Sequence, residues 1–211
     1  MDAERQKAQA AEFWNQMFGA AEYRYGTTPN AFLAGALPGL LVSPSDVLCV
    51  GDGEGRNGAW CAARGDRVTS LDPSSAGLAK ARKLASELGV ELTTIEDGMP
   101  SSTILPATFD AVVLCYVHLG PTLRPAVHAA CVEALRPGGV IVLEAFTPAQ
   151  IANRRQSGGP ASADMMFTAT MLASDFGDLE ILVLEEVETQ LHEGPGHSGI
   201  ADVVRLIARR R

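Results

Sequence analysis

Long apolar runs are missing from this chain: no stretch approaches the roughly 20 residues that a helical bilayer span requires, so no membrane association is expected. Cysteine is scarce. Cys49, Cys61, Cys115 and Cys131 show no CxxC pairing of the kind that holds zinc or runs redox chemistry, so no metal site is expected and they read as core thiols in a reducing compartment. Positive charge is short as well, 17 Lys and Arg against 25 Asp and Glu. The resulting formal charge of −8 repels polyanions, and the cationic cluster Arg209-Arg210-Arg211 reads as a solvated tail, so no nucleic-acid partner is expected. The polar start, Met1-Asp2-Ala3-Glu4-Arg5, lacks the basic and apolar regions of a secretory signal. The cytoplasm is the default compartment.

What the chain has in quantity is glycine in one informative place. The apolar run Val47-Leu48-Cys49-Val50 breaks into Gly51-Asp52-Gly53-Glu54-Gly55-Arg56-Asn57, and a helix pattern follows at once. Glycines at alternate positions let the backbone turn sharply and let a ligand approach closer than a Cβ would permit. The first turn of the helix then offers unpaired N–H groups. Counted from Gly51, the third glycine of a dinucleotide fingerprint would fall on Arg56. A count from Gly53 does yield Gly53, Gly55 and Gly58, but it puts the polar Asp52 at the strand end. A second strand, Val68-Thr69-Ser70-Leu71, closes on Asp72-Pro73-Ser74. A carboxylate there can accept both hydroxyls of a ribose, or it can simply favour the helix start beside the capping Ser74. Asp72 alone does not separate one adenosine cofactor from another.

From Asp46 onward, short apolar runs alternate with amphipathic helix patterns, the mark of a parallel sheet covered on both faces. Strands are expected at 46–50, 67–71, 90–95, 109–115 and 139–145, with helices near 55–64, 74–88 and 124–135. A Met-rich helix is expected near 163–173. Two further strand-like segments, 179–188 and 201–208, are joined by a glycine-rich link too short for a crossover helix, so they should pair antiparallel. The fold class is therefore α/β, a Rossmann-like, seven-stranded, mostly parallel sheet with a C-terminal antiparallel hairpin and helices on both faces. At 211 residues the chain fits one domain, with an N-terminal helical or lid segment over 1–40 and the nucleotide-binding core over 41–211. Phe13, Trp14, Met17 and Phe18 form an apolar helix stripe. The tyrosine-rich and turn-rich Glu22-Tyr23-Arg24-Tyr25-Gly26-Thr27-Thr28-Pro29-Asn30 reads as a lid.

The Gly-x-Gly-x-Gly run, Asp72, Ile95-Glu96-Asp97-Gly98 and the turn Leu135-Arg136-Pro137-Gly138-Gly139 together resemble the class I S-adenosylmethionine (SAM) dependent methyltransferases. Gly55-Arg56-Asn57 and His118-Leu119 with Pro121 resemble more narrowly the tellurite-resistance and thiopurine type that acts on small molecules. The resemblance implies a cofactor shell of Gly51, Asp52, Gly53, Gly55, Arg56, Asn57, Asp72, Pro73, Glu96, Asp97, Gly98, Cys115 and Tyr116, with Asp97 on the adenine amine. It implies SAM as methyl donor and S-adenosylhomocysteine (SAH) as product. One departure stands out: Cys49 occupies the place of the usual acid two residues before the first glycine, while Asp52 between the glycines could attract the methionine ammonium or simply favour the helix start.

The transfer itself asks mainly for positioning and exclusion of water. A thiolate, selenol or reduced tellurium acceptor needs no general base, whereas an amine or hydroxyl does. His118, after the fourth strand, is the candidate base, with Tyr25 of the lid as its catalytic companion and His197 in the hairpin link as a weaker alternative. Glu144-Ala145-Phe146-Thr147-Pro148 should line the acceptor pocket. The expected function is methyl transfer to a small molecule, favouring sulfur-group acceptors. An N- or O-methyltransferase, including one acting on a protein side chain, a non-catalytic SAM-binding module and a nicotinamide-dependent oxidoreductase remain open alternatives.

Overall fold

A computed structural model of the protein describes residues 3–211, with side chains from Lys7 onward. The extreme start, Met1–Asp2, lies outside them. Two helices, α1 (Ala3–Met17) and α2 (Ala31–Leu40), precede an alternation of β1 (Asp46–Val50), α3 (Arg56–Ala63), β2 (Arg67–Asp72), α4 (Ser75–Glu87), β3 (Thr93–Glu96), β4 (Phe109–Cys115), α5 (Arg124–Ala134) and β5 (Leu135–Phe146). The chain continues through α6 (Ala149–Ala152), a 3₁₀ turn (Ala163–Met165), α7 (Ala169–Asp175), β6 (Glu180–His192) and β7 (Ser198–Arg209). The seven strands form one sheet in the order β3-β2-β1-β4-β5-β7-β6. β7 runs antiparallel to both β5 and β6, and the remaining pairs are parallel.

The apolar runs become central strands because both faces are covered. Val47 to Val50 are all buried, as are Ala111 to Leu114 and Val140 to Phe146, the pattern of strands sandwiched between helix layers. On one face Leu48, Leu114, Ile141 and Leu143 pack with Val127 and Cys131 of α5 and Leu172 of α7. On the other, Val47, Cys49, Val113 and Val142 pack with Cys61 of α3 and with Leu33 and Leu37 of α2. The expected N-terminal segment is thus partly core, since α2 lies flat on the sheet. Cys49, Cys61 and Cys131 are buried, Cys115 is half-buried, and all four are free thiols.

Three expected elements are redrawn. The Met-rich helix near 163–173 is split, because Met166 and Phe167 run extended and bury against the sheet, with the Phe167 N–H donating to the Phe146 carbonyl at 3.1 Å. Helix α7 begins only after Thr168, whose hydroxyl accepts from the Met171 N–H. β3 starts at Thr93 instead of 90, since the Val90 N–H turns back to the Ala85 carbonyl at 2.9 Å and closes the end of α4. The basic tail is tied down at Arg210: its guanidinium donates to the carbonyls of Val132 and Glu133, capping α5.

Candidate active site

β1 delivers the chain into Gly51, Gly53 and Gly55, all left-handed, at φ of 60°, 54° and 84°. At Gly53 a Cβ would stand 3.0 Å from the ring of Phe18, the last aromatic of the N-terminal stripe. At Gly55 it would stand 2.4 Å from the Cβ of Ala81, so this glycine lets α3 pack against α4. The helix therefore starts with an N-cap that has no side chain, and Asp52 replaces it. The Asp52 carboxylate accepts from the Gly58 N–H at 3.2 Å and from the Ser70 hydroxyl. Burial raises its pKa, opposed by those two donors. Of the two expectations for Asp52, its contacts serve the helix start: its oxygens point beneath the loop and stabilise α3.

Asp72 closes β2 at 4% exposure. One oxygen accepts from the Ser74 N–H and the other from the Gly53 N–H, each at 2.8 Å. Burial pushes its pKa up to about 6 against these two hydrogen bonds, with the nearby Asp52 adding to the rise. Each carboxylate oxygen keeps a second lone pair, so this pair of acceptors fits the two hydroxyls of a ribose diol. Ser74 caps α4 by accepting from the Gly77 N–H. At the next strand end, Asp97 accepts from Lys7 Nζ at 3.0 Å and from the Gly98 N–H at 2.7 Å. Burial alone would raise its pKa, but hydrogen bonds from Ser101, Lys7 and Gly98 hold it below the usual range. Glu96 is exposed, and Pro73 is half-buried.

Residues 22–30 bridge the glycine loop and the β6–β7 turn. Glu54 accepts from the Arg24 N–H at 2.8 Å and pairs with Lys80 at 2.7 Å, and Lys80 donates in turn to the Glu22 carbonyl. At the other end the Gly196 N–H donates to the Arg24 carbonyl at 2.8 Å. The Asn30 amide donates to Glu144 at 2.7 Å and to Glu193 at 3.0 Å, while its backbone N–H donates to Asn57. Arg56 and Asn57 thus face the bridging segment and the hairpin. Arg56 makes a 2.7 Å ion pair with Glu193, and the two residues are 6% and 4% exposed. Glu144 balances Arg205 at 2.6 Å and accepts from the Tyr116 hydroxyl at 2.7 Å. Two carboxylates and two guanidiniums therefore offset each other at the C-terminal ends of the central strands, where open α/β sheets bind ligands.

Aromatic rings roof this cluster. His197 lies 4.4 Å from the Tyr25 ring, 4.3 Å from Tyr116 and 5.3 Å from Phe146, centroid to centroid. Tyr116 adopts φ 58°, an uncommon conformation for a bulky residue that tends to mark functional sites. Cys115 beside it has a thiol pushed well above its ordinary pKa by burial, which makes it a poor nucleophile. His118 is corrected as a free base. Its Nδ1 is 3.1 Å from the Met165 carbonyl and its Nε2 3.4 Å from the Phe146 N–H, so both ring nitrogens are committed to backbone. Burial brings its pKa down to about 4.

Asn30, Glu193 and Arg205 escaped the sequence reading. Glu193 had a legible signal, an acid four residues before a histidine in a glycine-rich turn, and Asn30 was legible as the cap of α2. Arg205 had none. A surface depression of about 720 Å³ lies at the opposite end of the sheet beside Asp46, Arg67 and Arg136. Among the described residues no cluster of three or more His, Cys, Asp or Glu could hold a metal, and no helix is long and apolar enough to cross a membrane.

Residues 47–139 match the profile of a methyltransferase domain family. Among solved structures, the protein from a study of the conversion of a disulfide bond into a thioacetal group during echinomycin biosynthesis is 21% identical over 95% of this chain and 92% of its own, with TM-score 0.75. TehB from Haemophilus influenzae is 19% identical over 96% of this chain and 67% of its own, with TM-score 0.69. The N-methyltransferase NodS from Bradyrhizobium japonicum WM9, solved with SAH, is 17% identical over 95% of this chain and 98% of its own, with TM-score 0.66. No curated protein matches the chain. At these identities the structural likeness concerns the fold.

Proposed function

We propose that the chain, whose residues 47–139 match a methyltransferase domain family, is a class I SAM-dependent methyltransferase, and that its methyl acceptor is a small molecule carrying a soft nucleophile, a thiol or a related selenium or tellurium species. The observation that carries this reading is the bridge of residues 22–30 from Glu54 to the hairpin, which encloses the ends of β4 and β5 beneath Tyr25, Tyr116 and His197. When bound, SAM supplies a methyl group already activated on a positive sulfonium. The protein's part is to hold, orient and exclude water.

The left-handed glycine loop carries the backbone past the cofactor, and Asp72 accepts its ribose hydroxyls with the lone pairs left free by Gly53 and Ser74. Asp97 takes the adenine amine in place of Lys7, and Tyr116 borders the methionine end. Residues 3–30 act as the closing segment of one domain, whose core takes in α2 as well as 41–211. The sulfur chemistry named for the echinomycin-pathway relative supports a soft acceptor. The carboxylates of Glu144 and Glu193 favour a second reading, an amine acceptor, as in the N-methyltransferase NodS. Four free thiols suit a reducing compartment such as the cytoplasm.

Calorimetric titration with SAM, SAH and NAD, followed by labelled-methyl transfer to thiol, selenite, tellurite, amine and carboxylate panels, tests the reading. We expect binding of SAM and SAH, no binding of NAD, and label on thiols. Transfer to amines alone would establish the second reading.

A further inference from the structure

We propose that His197, oriented by Glu193, removes the proton of the acceptor, so that the acceptor enters as a neutral X–H group, a thiol before an amine, and not as a preformed anion. The proposal rests on the methyltransferase reading above. It begins from a contrast between two histidines at one site: His118 has both nitrogens tied to backbone, whereas Nδ1 of His197 is buried without any hydrogen bond. Its near neighbour is Glu193 Oε2 at 3.5 Å, a separation that catalytic pairs commonly show before ligands tighten them.

The carboxylate is held to its post. Arg56 grips the same Oε2 at 2.7 Å, and Asn30 Nδ2 donates to Oε1 at 3.0 Å. Its orientation is therefore set by α3 and the bridging segment together. A proton on Nδ1 shared toward Glu193 leaves Nε2 as the bare, accepting nitrogen. Beside that nitrogen the chain places Gly158 at φ 120°, where a Cβ would stand 2.7 Å from Cδ2 and 3.4 Å from Nε2. Glycine there spares the Cδ2–Nε2 edge a clash with a side chain.

The ionisable groups facing the ring come from every neighbouring element: Glu193 in its own turn, Arg56 on α3, Glu144 on β5, Tyr25 in the bridging segment, and Tyr116 and His118 after β4. Burial lowers the His197 pKa, Arg56 lowers it further, and Glu193 and Glu144 oppose them. His197 is accordingly neutral and able to accept at neutral pH. In the step, the X–H proton passes to Nε2 while the X–H electron pair stays on X and forms the bond to the methyl carbon. The carbon–sulfur bond of the sulfonium breaks with its pair remaining on sulfur, and the imidazolium then returns the proton to water.

Two probe thiols separate this role from ring packing. Benzyl mercaptan carries its proton at neutral pH, and 4-nitrothiophenol has already lost it. His197→Phe keeps the ring stack without a base. It should lower kcat/KM for benzyl mercaptan about 10²-fold more than for 4-nitrothiophenol, and Glu193→Gln should show about a tenfold differential of the same sign. In full-length protein with SAH bound, nitrogen-15 NMR of the histidines should show neutral His197 bare at Nε2, with its titration midpoint moved down by Glu193→Gln. Equal losses on both thiols, no methylation of either thiol, or a neutral ring protonated at Nε2 would each overturn the proposal. SAH calorimetry keeps the failures apart: absent binding removes the methyltransferase reading, while intact binding with equal losses removes only the role of His197.

Discussion

A buried carboxylate that stays useful to a ligand has to be stabilised without being saturated, and Asp72 meets both conditions. Its two backbone donors occupy one lone pair on each oxygen. They do not fully offset the cost of burial, so the pKa rises from 3.8 to about 6. The sign for folding follows from the raised value. The neutral form is favoured in the native state, so this group's contribution to stability is present below about pH 4 and is lost as pH rises through about 6. Cofactor binding should run the other way, because ribose hydroxyls donate to an ionised carboxylate. We expect SAH affinity to fall by up to about tenfold per pH unit below pH 6, and Asp72→Asn to flatten that dependence. Calorimetry between pH 5 and pH 8 on both proteins decides it; parallel pH slopes would remove Asp72 from the ribose.

Among the elements, two glycines in helical surroundings have opposite reasons to be there. Gly55 combines φ 84° with the contact to Ala81. An added methyl there brings left-handed strain and overpacking together, and Gly55→Ala should cost about 2–4 kcal/mol in urea unfolding. Gly35, on the exposed side of α2, has no atom within 4 Å of a built Cβ. Gly35→Ala should therefore stabilise the protein by about 0.5–1 kcal/mol by cutting the freedom of the unfolded chain. The pair tests whether the glycine-loop helix, as distinct from α2, depends on close backbone approach. Similar effects at the two sites would contradict the α3–α4 packing.

Across the whole molecule, the bridging segment links parts that the sheet alone would leave separate. Glu54 on the glycine loop holds Arg24, and Glu193 in the hairpin holds Asn30. Glu54→Ala removes the carboxylate that holds Arg24 and leaves Lys80 only the Glu22 carbonyl. Amide exchange in 22–30 should then quicken by about tenfold or more, while β1, β4 and β5 keep their protection, because local opening draws on few buried apolar contacts. Unchanged exchange over 22–30 would mean that the hairpin end alone holds the segment.

The strand runs, the glycine loop and the terminal hairpin were legible along the chain because each is written in local terms: periodicity, turn residues and the length of a link. Val47 to Val50 are apolar at every position, and a seven-stranded sheet with antiparallel β6 and β7 followed from the spacing. What the tertiary structure alone decided is where the polar side chains point and whom they meet. Arg56 and Glu193 are separated by 137 positions, and no local pattern encodes their pairing. Asp52 turned beneath its own loop because Gly55 offers α3 no capping side chain. His118 lost its freedom to the backbone of Phe146 and Met165. The Met-rich helix broke at Met166 and Phe167 because burying those side chains on the sheet outweighs a turn of helix. Secondary structure follows from neighbours in sequence, whereas the chemistry of a buried charge follows from neighbours in space, and those exist only once the layers have packed.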